Sequence, residues 1–281
     1  MNRLIIYFVI ILVTMGCTET PVILPEKVEP ASGKVVLLED LTGVDCSNCP
    51  QAALRLEEIA DEFPGSILVV GIHGTQQTKP IEGSKYDFRN EDAVFLEEYL
   101  RPWLGKPAVA FNRRRFSDQQ GSNGNLSLIG VTQIATRTEE ILQEQQTVNI
   151  ESTYDWVNEE ERTIEIFAGI KALEDLEGDF NVNVLITESH IIDAQNNALT
   201  GGIDLDYEHN HVLRDVISNT TGEQLDTILV KDELINKSWT YTIPQTPDGL
   251  WVIENLEVII FVSNLDGESK EILQANKLKL Q

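Results

Sequence analysis

Two cysteines three positions apart, Cys46 and Cys49, are the residues of this chain best spaced to do chemistry. They sit in Cys46-Ser47-Asn48-Cys49-Pro50, where two intervening residues put the second sulfur within bonding distance of the first. A thiol at a helix N-terminus feels the positive end of the helix dipole, which favours thiolate over thiol. By that logic Cys46 is the exposed attacking thiol and Cys49 the buried resolving one. Pro50 suits the first helical turn, where its missing donor has no intrahelical partner. Asp45 directly before the pair, with Glu39 and Asp40 close in sequence, opposes thiolate formation if those carboxylates lie near. No Trp precedes the pair. Three readings stand: a redox-active dithiol, a permanently oxidised staple, and half of a metal site. The last needs two more ligands, and this half of the chain offers only His73.

The elements that must position the pair are legible on either side. Residues 34–39 form a short apolar run suited to a buried parallel strand, and a loop over 40–45 follows. After the cysteines, Ala52, Leu56, Ile59, Ala60 and Phe63 recur at helical spacing until Pro64-Gly65 ends the run. Residues 67–72 give a second buried strand, so the order is strand, CxxC turn, helix, strand. Further on, Gly105-Lys106-Pro107 enters an apolar strand, at the point where thioredoxin-like proteins carry a cis-proline that faces the CxxC and seats an extended substrate. The expected unit over 34–145 is therefore an α/β thioredoxin-like domain with Cys46, Cys49 and Pro107 as its catalytic set. The polar stretch from Gly74 to about Glu91 reads as a loop over the site edge, Asn112-Arg113-Arg114-Arg115 as a solvated turn neutralising local acids, and 131–145 as a last helix.

Past Gln146 the pattern turns to period two and β-branched residues. Strands are expected at 147–153, 162–171, 180–191, 210–217, 237–243, 254–263 and 270–280, which argues for an all-β immunoglobulin-like sandwich over 146–281. Such a domain generally binds or spaces. Three of the four histidines fall here. On a strand His209 and His211 would face the same way, the minimum for a metal pair, with Glu188 or His190 to complete it. The alternative is hydrogen-bonded polar residues organising a loop beside the sheet. The metal reading would support a hydrolase; no metal and no cofactor is expected.

The N-terminus bears on location. One Arg, an apolar run over 4–13 and Gly16-Cys17 read as a secretory signal over 1–16, too short for a stable membrane span, with lipidation of Cys17. Residues 17–33, rich in Pro and Glu, read as the lipidated cysteine and a flexible tether. The remainder would then face an oxidising compartment. Of the 281 residues, 42% are hydrophobic, ordinary for a globular chain. Against 21 Lys and Arg stand 46 Asp and Glu, a formal charge of -25, which repels nucleic acid and anionic lipid over most of the exterior. The expected partners are a membrane, reached through the N-terminal lipid, and a protein partner or disulfide-bearing protein substrate, with no nucleic acid.

Several segments together resemble the Omp28-related outer-membrane lipoproteins of Bacteroidota. They are the lipoprotein start, Leu38-Glu39-Asp40-Leu41-Thr42-Gly43 leading into the CxxC, the Gly105-Lys106-Pro107 strand entry, and Glu208-His209-Asn210-His211-Val212-Leu213-Arg214. The resemblance runs from about residue 34 to the C-terminus. It implies a thioredoxin-like domain paired with a β-rich one and residence at the outer membrane, facing the periplasm or the cell surface. It implies no established reaction. Two functions follow: thiol–disulfide exchange through Cys46 and Cys49, or a non-enzymatic surface lipoprotein, an adhesin or accessory subunit of a membrane complex, with a structural disulfide.

Overall fold

The computed structural model describes residues 30–31, 33–118, 120–121, 124–125, 128–129, 131–267 and 269–281. The expected signal at 1–16, the lipidated Cys17 and nearly all of the tether lie outside the described residues.

Val36–Leu41 (β1) and Ile67–Ile72 (β2) are apolar runs buried at every position, and they pair in parallel with Val36 opposite Ile67 and Leu41 opposite Ile72. Cys49–Glu62 (α1) is the crossover between them, and its Leu56 and Ile59 pack onto Val36, Leu38 and Val69. Asp40 falls inside β1 rather than in the loop expected after residue 39. Glu91–Tyr99 (α2) has no counterpart in the sequence reading; the Asn90 side chain caps it by accepting from the Ala93 amide. Ala108–Phe111 (β3) runs antiparallel to β1, and Leu128–Ile129 (β4) extends it outward. Ile134–Leu142 (α3) follows a single turn of tighter helix over 131–133.

The second half contributes Val148–Asn158 (β5), Thr163–Ala172 (β6), Phe180–Glu188 (β7), Ile191–Asn197 (β8), Gly202–His209 (β9), Val212–Val216 (β10), Leu234–Thr242 (β11), Leu256–Asn264 (β12) and Glu271–Lys279 (β13). Strict alternation along β6 places Ile164, Ile166, Ala168 and Ile170 on one face, and the three-stranded sheet β11-β6-β5 lays that face onto Val184, Ile186, Val258 and Ile260.

The expected fold class is overturned. Among the described residues no separate thioredoxin-like α/β domain forms; 42% of them lie in strands, 16% in helices, and the fold is mostly β. The cause is strand pairing across the halves. One sheet runs β13-β12-β7-β10-β2-β1-β3-β4, with a ninth short strand, Glu223–Gln224, beside β7. Its seam is a parallel bridge between Val212 of β10 and Gly71 of β2, where the Gly71 amide donates to the His211 carbonyl at 2.8 Å. Beneath the seam, Leu37, Leu68, Val70 and Ile72 share a core with Leu185, Ile259, Phe261 and Ile272, and α2 covers it with Ala93 and Leu96, joined by Leu100 at its C-terminal cap. The two halves therefore bury one another's apolar faces, which a free-standing immunoglobulin-like sandwich after a free-standing α/β unit does not do.

Arg113 departs from the solvated turn expected of the basic cluster. It is 3% exposed and makes a two-pronged bond to the buried Glu39 carboxylate at 2.6–2.8 Å, lying over the Phe261 ring. Arg114 does neutralise nearby acids, Glu144 and Glu271.

Candidate functional site

A cavity of about 290 Å³ opens between the start of α1, the ends of β1 and β2, and the β8–β9 hairpin. Local sequence explains the meeting. Pairing of β1 with β2 puts Asp40 on the α1 side of the sheet, opposite to Glu39, because successive side chains of a strand alternate. α1 begins at Cys49, so this cysteine and Pro50 both stand on the cavity wall. After β2 the chain enters residues 73–90, which hold no helix or strand, and carries His73 into the interior. Gly43 allows the close approach that ties this stretch down: a Cβ there would stand 2.3 Å from the Gln77 carbonyl oxygen.

Cys46 and Cys49 are joined by a disulfide. Both are buried, at 2% and 1% exposure, so Cys46 is not the exposed thiol that its place before the helix suggested. The cover is the β8–β9 hairpin from the other half. The Asn196 amide donates to the Val44 carbonyl and the Ala198 amide to the Ser47 carbonyl, both at 2.8 Å. Gln195 Nε2 donates to the carbonyls of Gly43 and Cys46 at 3.2 and 3.1 Å. Asp193 then holds the 73–90 stretch, its carboxylate accepting from the amides of Lys85, Tyr86 and Ala194 at 2.8–2.9 Å.

The cavity's titratable groups are set mainly by burial. Desolvation pushes the Asp40 carboxyl up to about 7, against the pull of the Lys106 charge. It lowers His209 to about 4 and His73 well below the usual imidazole range, the neighbouring His209 adding to the effect on His73. It raises Tyr207 to about 12. Both imidazoles are therefore neutral at pH 7, packed in one cluster with Phe88 and Tyr207 at centroid separations of 4.8–6.2 Å. At the rim a hydrogen bond from His211 holds Glu57 below the ordinary carboxylate range, with His211 Nε2 at 3.4 Å.

His209 and His211 do not share a strand face. β9 ends at His209, and His211 lies in the turn before β10 with φ of 56°. His209 packs inward against Phe88; His211 faces Glu57 and Glu257. His190 pairs with Glu208 at 2.6 Å, and Glu188 accepts from the Val252 amide and lies 3.4 Å from Arg214. Among the described residues no group of three His, Cys, Asp or Glu could hold a metal ion. The Lys106–Pro107 bond is cis. Lys106 itself has a role unread in the sequence: its buried ammonium donates to the carbonyls of Thr42 and Gln76 and pairs with Glu97 at 2.7 Å, fixing the mouth of the β3 strand. Gln195, Tyr207 and Asp193 were also unread, although the alternation Ile203-Asp204-Leu205-Asp206-Tyr207-Glu208 marks a strand.

Residues 104–281, more than half of the chain, match the family described as outer membrane protein Omp28. The chain belongs to the Omp28 family. That match covers the hairpin, the β10 side of the seam and the second half's share of the core, and it carries association with the outer membrane. No curated protein matches the chain. Among solved structures, HBP35 of Porphyromonas gingivalis aligns at a TM-score of 0.63 with 17% identity, over 90% of this chain and 77% of that one. A protein of Agrobacterium tumefaciens aligns at 0.50 with 12% identity, over 88% and 96%. A domain of the outer membrane lipoprotein Omp28 from Porphyromonas gingivalis aligns at 0.34 with 20% identity, over 48% and 88%. At these identities the first two are similar to this Omp28-family chain in fold alone.

Proposed function

We propose that this Omp28-family protein is a lipid-anchored outer-membrane binding protein, held through Cys17, in which the Cys46–Cys49 disulfide staples one wall of a binding cavity and does not turn over. The observation that carries the reading is the seating of the β8–β9 hairpin on the CxxC segment, which leaves the two cysteines 2% and 1% exposed. Thiol–disulfide exchange requires a thiolate to approach one sulfur along the S–S axis, and here that approach needs the hairpin to lift. Its ligand or protein partner engages the open side of the cavity, rimmed by Leu54 and Leu199, both more than half exposed.

The test is the reduction potential of the pair in the full chain, by equilibration with thiol buffers and alkylation of the free cysteines. A value below about -300 mV is expected of a staple. A value between about -120 and -270 mV would instead support exchange chemistry. One observation favours that second reading: Asp40, with its carboxyl raised to about 7, shares the cavity wall with Cys49 and could hold the proton of a released thiol. Under exchange, Cys46→Ser abolishes turnover of a disulfide substrate. Under the staple reading, partner capture persists in a folded Cys46→Ser/Cys49→Ser variant.

A further inference from the structure

The β8–β9 hairpin is a two-stranded sheet of its own. Its β8 strand faces the CxxC segment, whose carbonyls take the amides of Asn196 and Ala198. Its β9 strand pairs with β8 along one edge only. Among the described residues no other strand, and no backbone hydrogen bond from outside the hairpin, reaches the second edge of β9. Gly202–His209 therefore leaves a row of backbone N–H and C=O groups open to a further strand.

That edge borders the cavity. Tyr207 and His209 lie on one face of β9 with their rings 4.8 Å apart, and Glu208 lies on the other, where its carboxylate meets His190 at 2.6 Å. All three line the cavity, so the cavity follows the strand's backbone rather than one of its faces. Opposite them, Pro50, Ala53, Leu54 and Glu57 line it from one side of α1. The space is thus a slot between a helix and a strand edge. Glu57 meets His211 at 3.4 Å and closes the end toward β10, while the exposed Leu54 and Leu199 mark the open end. A strand added to β9 would run about 4.8 Å from it, along this slot.

Charge selects the occupant. Asp40, Glu57 and Glu208 line the slot, Asp204 stands close enough to act on Tyr207 and His209, and no Lys or Arg lines it. A second copy of the chain, at a formal charge of -25, would bring the same carboxylates to a β9–β9 pairing and be repelled. Residues 18–32 of the chain itself hold three Glu against one Lys, and Pro21, Pro25 and Pro30 lack the donors a ladder needs. The complement is a basic strand of another protein.

We infer that the free edge of β9 takes an extended basic segment of a protein partner by strand addition, its backbone paired with Gly202–His209 and its cationic side chains set against Glu57 and Glu208. This rests on the cavity being the binding site in the function proposed above, and it names the chemistry of the partner.

The test is fluorescence anisotropy of labelled hexapeptides with the full chain in detergent. Three are used: alternating Lys and Val, alternating Glu and Val, and the Lys-Val peptide with every backbone nitrogen methylated, which keeps its charge and loses its donors. The Lys-Val peptide is expected to bind roughly tenfold more tightly than either of the others. Its binding should slow hydrogen exchange at alternate amides of 202–209. Glu208→Lys, at an exposed position, is expected to weaken it roughly fivefold. Equal binding of the methylated peptide reduces the effect to bare charge and overturns strand addition. Equal binding of the Glu-Val peptide overturns the basic partner. Concentration-dependent dimers in sedimentation, with the β9 amides protected and no peptide present, would give the edge to a second copy instead. Absence of binding by all three at millimolar concentration overturns the peptide site. The reduction potential, measured separately, decides the staple whatever the peptides do.

Discussion

Asp40 and His209 occupy one cavity and respond to burial in opposite directions, so their effects on stability oppose one another. A carboxyl raised from 3.8 to about 7 binds more protons folded than unfolded between those values. Its contribution is therefore present at low pH and is lost as pH rises from 3.8 to about 7. His209, lowered from 6.5 to about 4, binds fewer protons folded, so its contribution increases with pH across that window. Asp40→Asn removes the first effect and leaves the second. Relative to wild type the variant should gain stability as pH rises from 4 to 7, by up to about 1.4 kcal/mol per pH unit, and hold level above. Urea unfolding at pH 4, 5.5 and 8 measures this; a constant difference between the two proteins would mean Asp40 titrates normally. Glu39, one residue earlier, behaves differently because it points to the other face and meets Arg113. Glu39→Gln leaves that guanidinium buried without its counter-charge, a loss expected to be about 3–5 kcal/mol by the same measurement at pH 7. The sequence placed Glu39 and Asp40 together as acids near the thiols. Only the strand alternation, once β1 is extended to Leu41, separates the structural one from the one at the site.

The β8–β9 hairpin is the element that decides what the cysteines can do, and it was the least visible. Ile191-Ile192-Asp193-Ala194-Gln195-Asn196-Asn197 lacks a clean period of two because a bulge interrupts pairing between Asp193 and Gln195 and turns two polar side chains inward. Those side chains are polar because what they cover is backbone: loop amides for Asp193, CxxC carbonyls for Gln195. By contrast the strand–CxxC–helix–strand run was legible, since β1, α1 and β2 fall close to where apolar periodicity put them. A strand that packs on polar groups carries no hydrophobic signature to read. Gln195→Ala should expose the hairpin's role. It strips donors from the Gly43 and Cys46 carbonyls, with an expected loss of roughly 2 kcal/mol, and lets the hairpin lift more often. Reduction of the disulfide by dithiothreitol, followed by alkylation and mass, should then run several-fold faster than in wild type. An unchanged rate would mean that the hairpin does not control access to the sulfurs.

At the scale of the whole molecule, the period-two strands of the second half other than β9 were legible one by one, but their destination was not. β7 and β12 are buried on both faces: Val184, Ile186, Val258 and Ile260 meet the three-stranded sheet, while Leu185, Ile259 and Phe261 meet β1, β2 and α2. Uniform apolarity says that a strand is covered twice without saying by what. Nothing in the residues of β2 announces that its free edge is taken by β10, because the seam is a backbone bridge at Gly71 with no side-chain signature. The shared core gives this arrangement a measurable consequence. Phe261 is fully buried in the second half, yet it packs with first-half residues Leu37 and Val70 and lies beneath Arg113. Phe261→Ala is expected to cost about 3–5 kcal/mol. The loss should appear equally in near-ultraviolet circular dichroism, which reads the aromatic packing of both halves, and in hydrogen exchange of the β1 and β2 amides. Independent domains would confine it to the second half and leave the β1 and β2 amides as protected as before. A cooperative shift of both instead ties the cavity, built from residues of each half, to the stability of the molecule as one body.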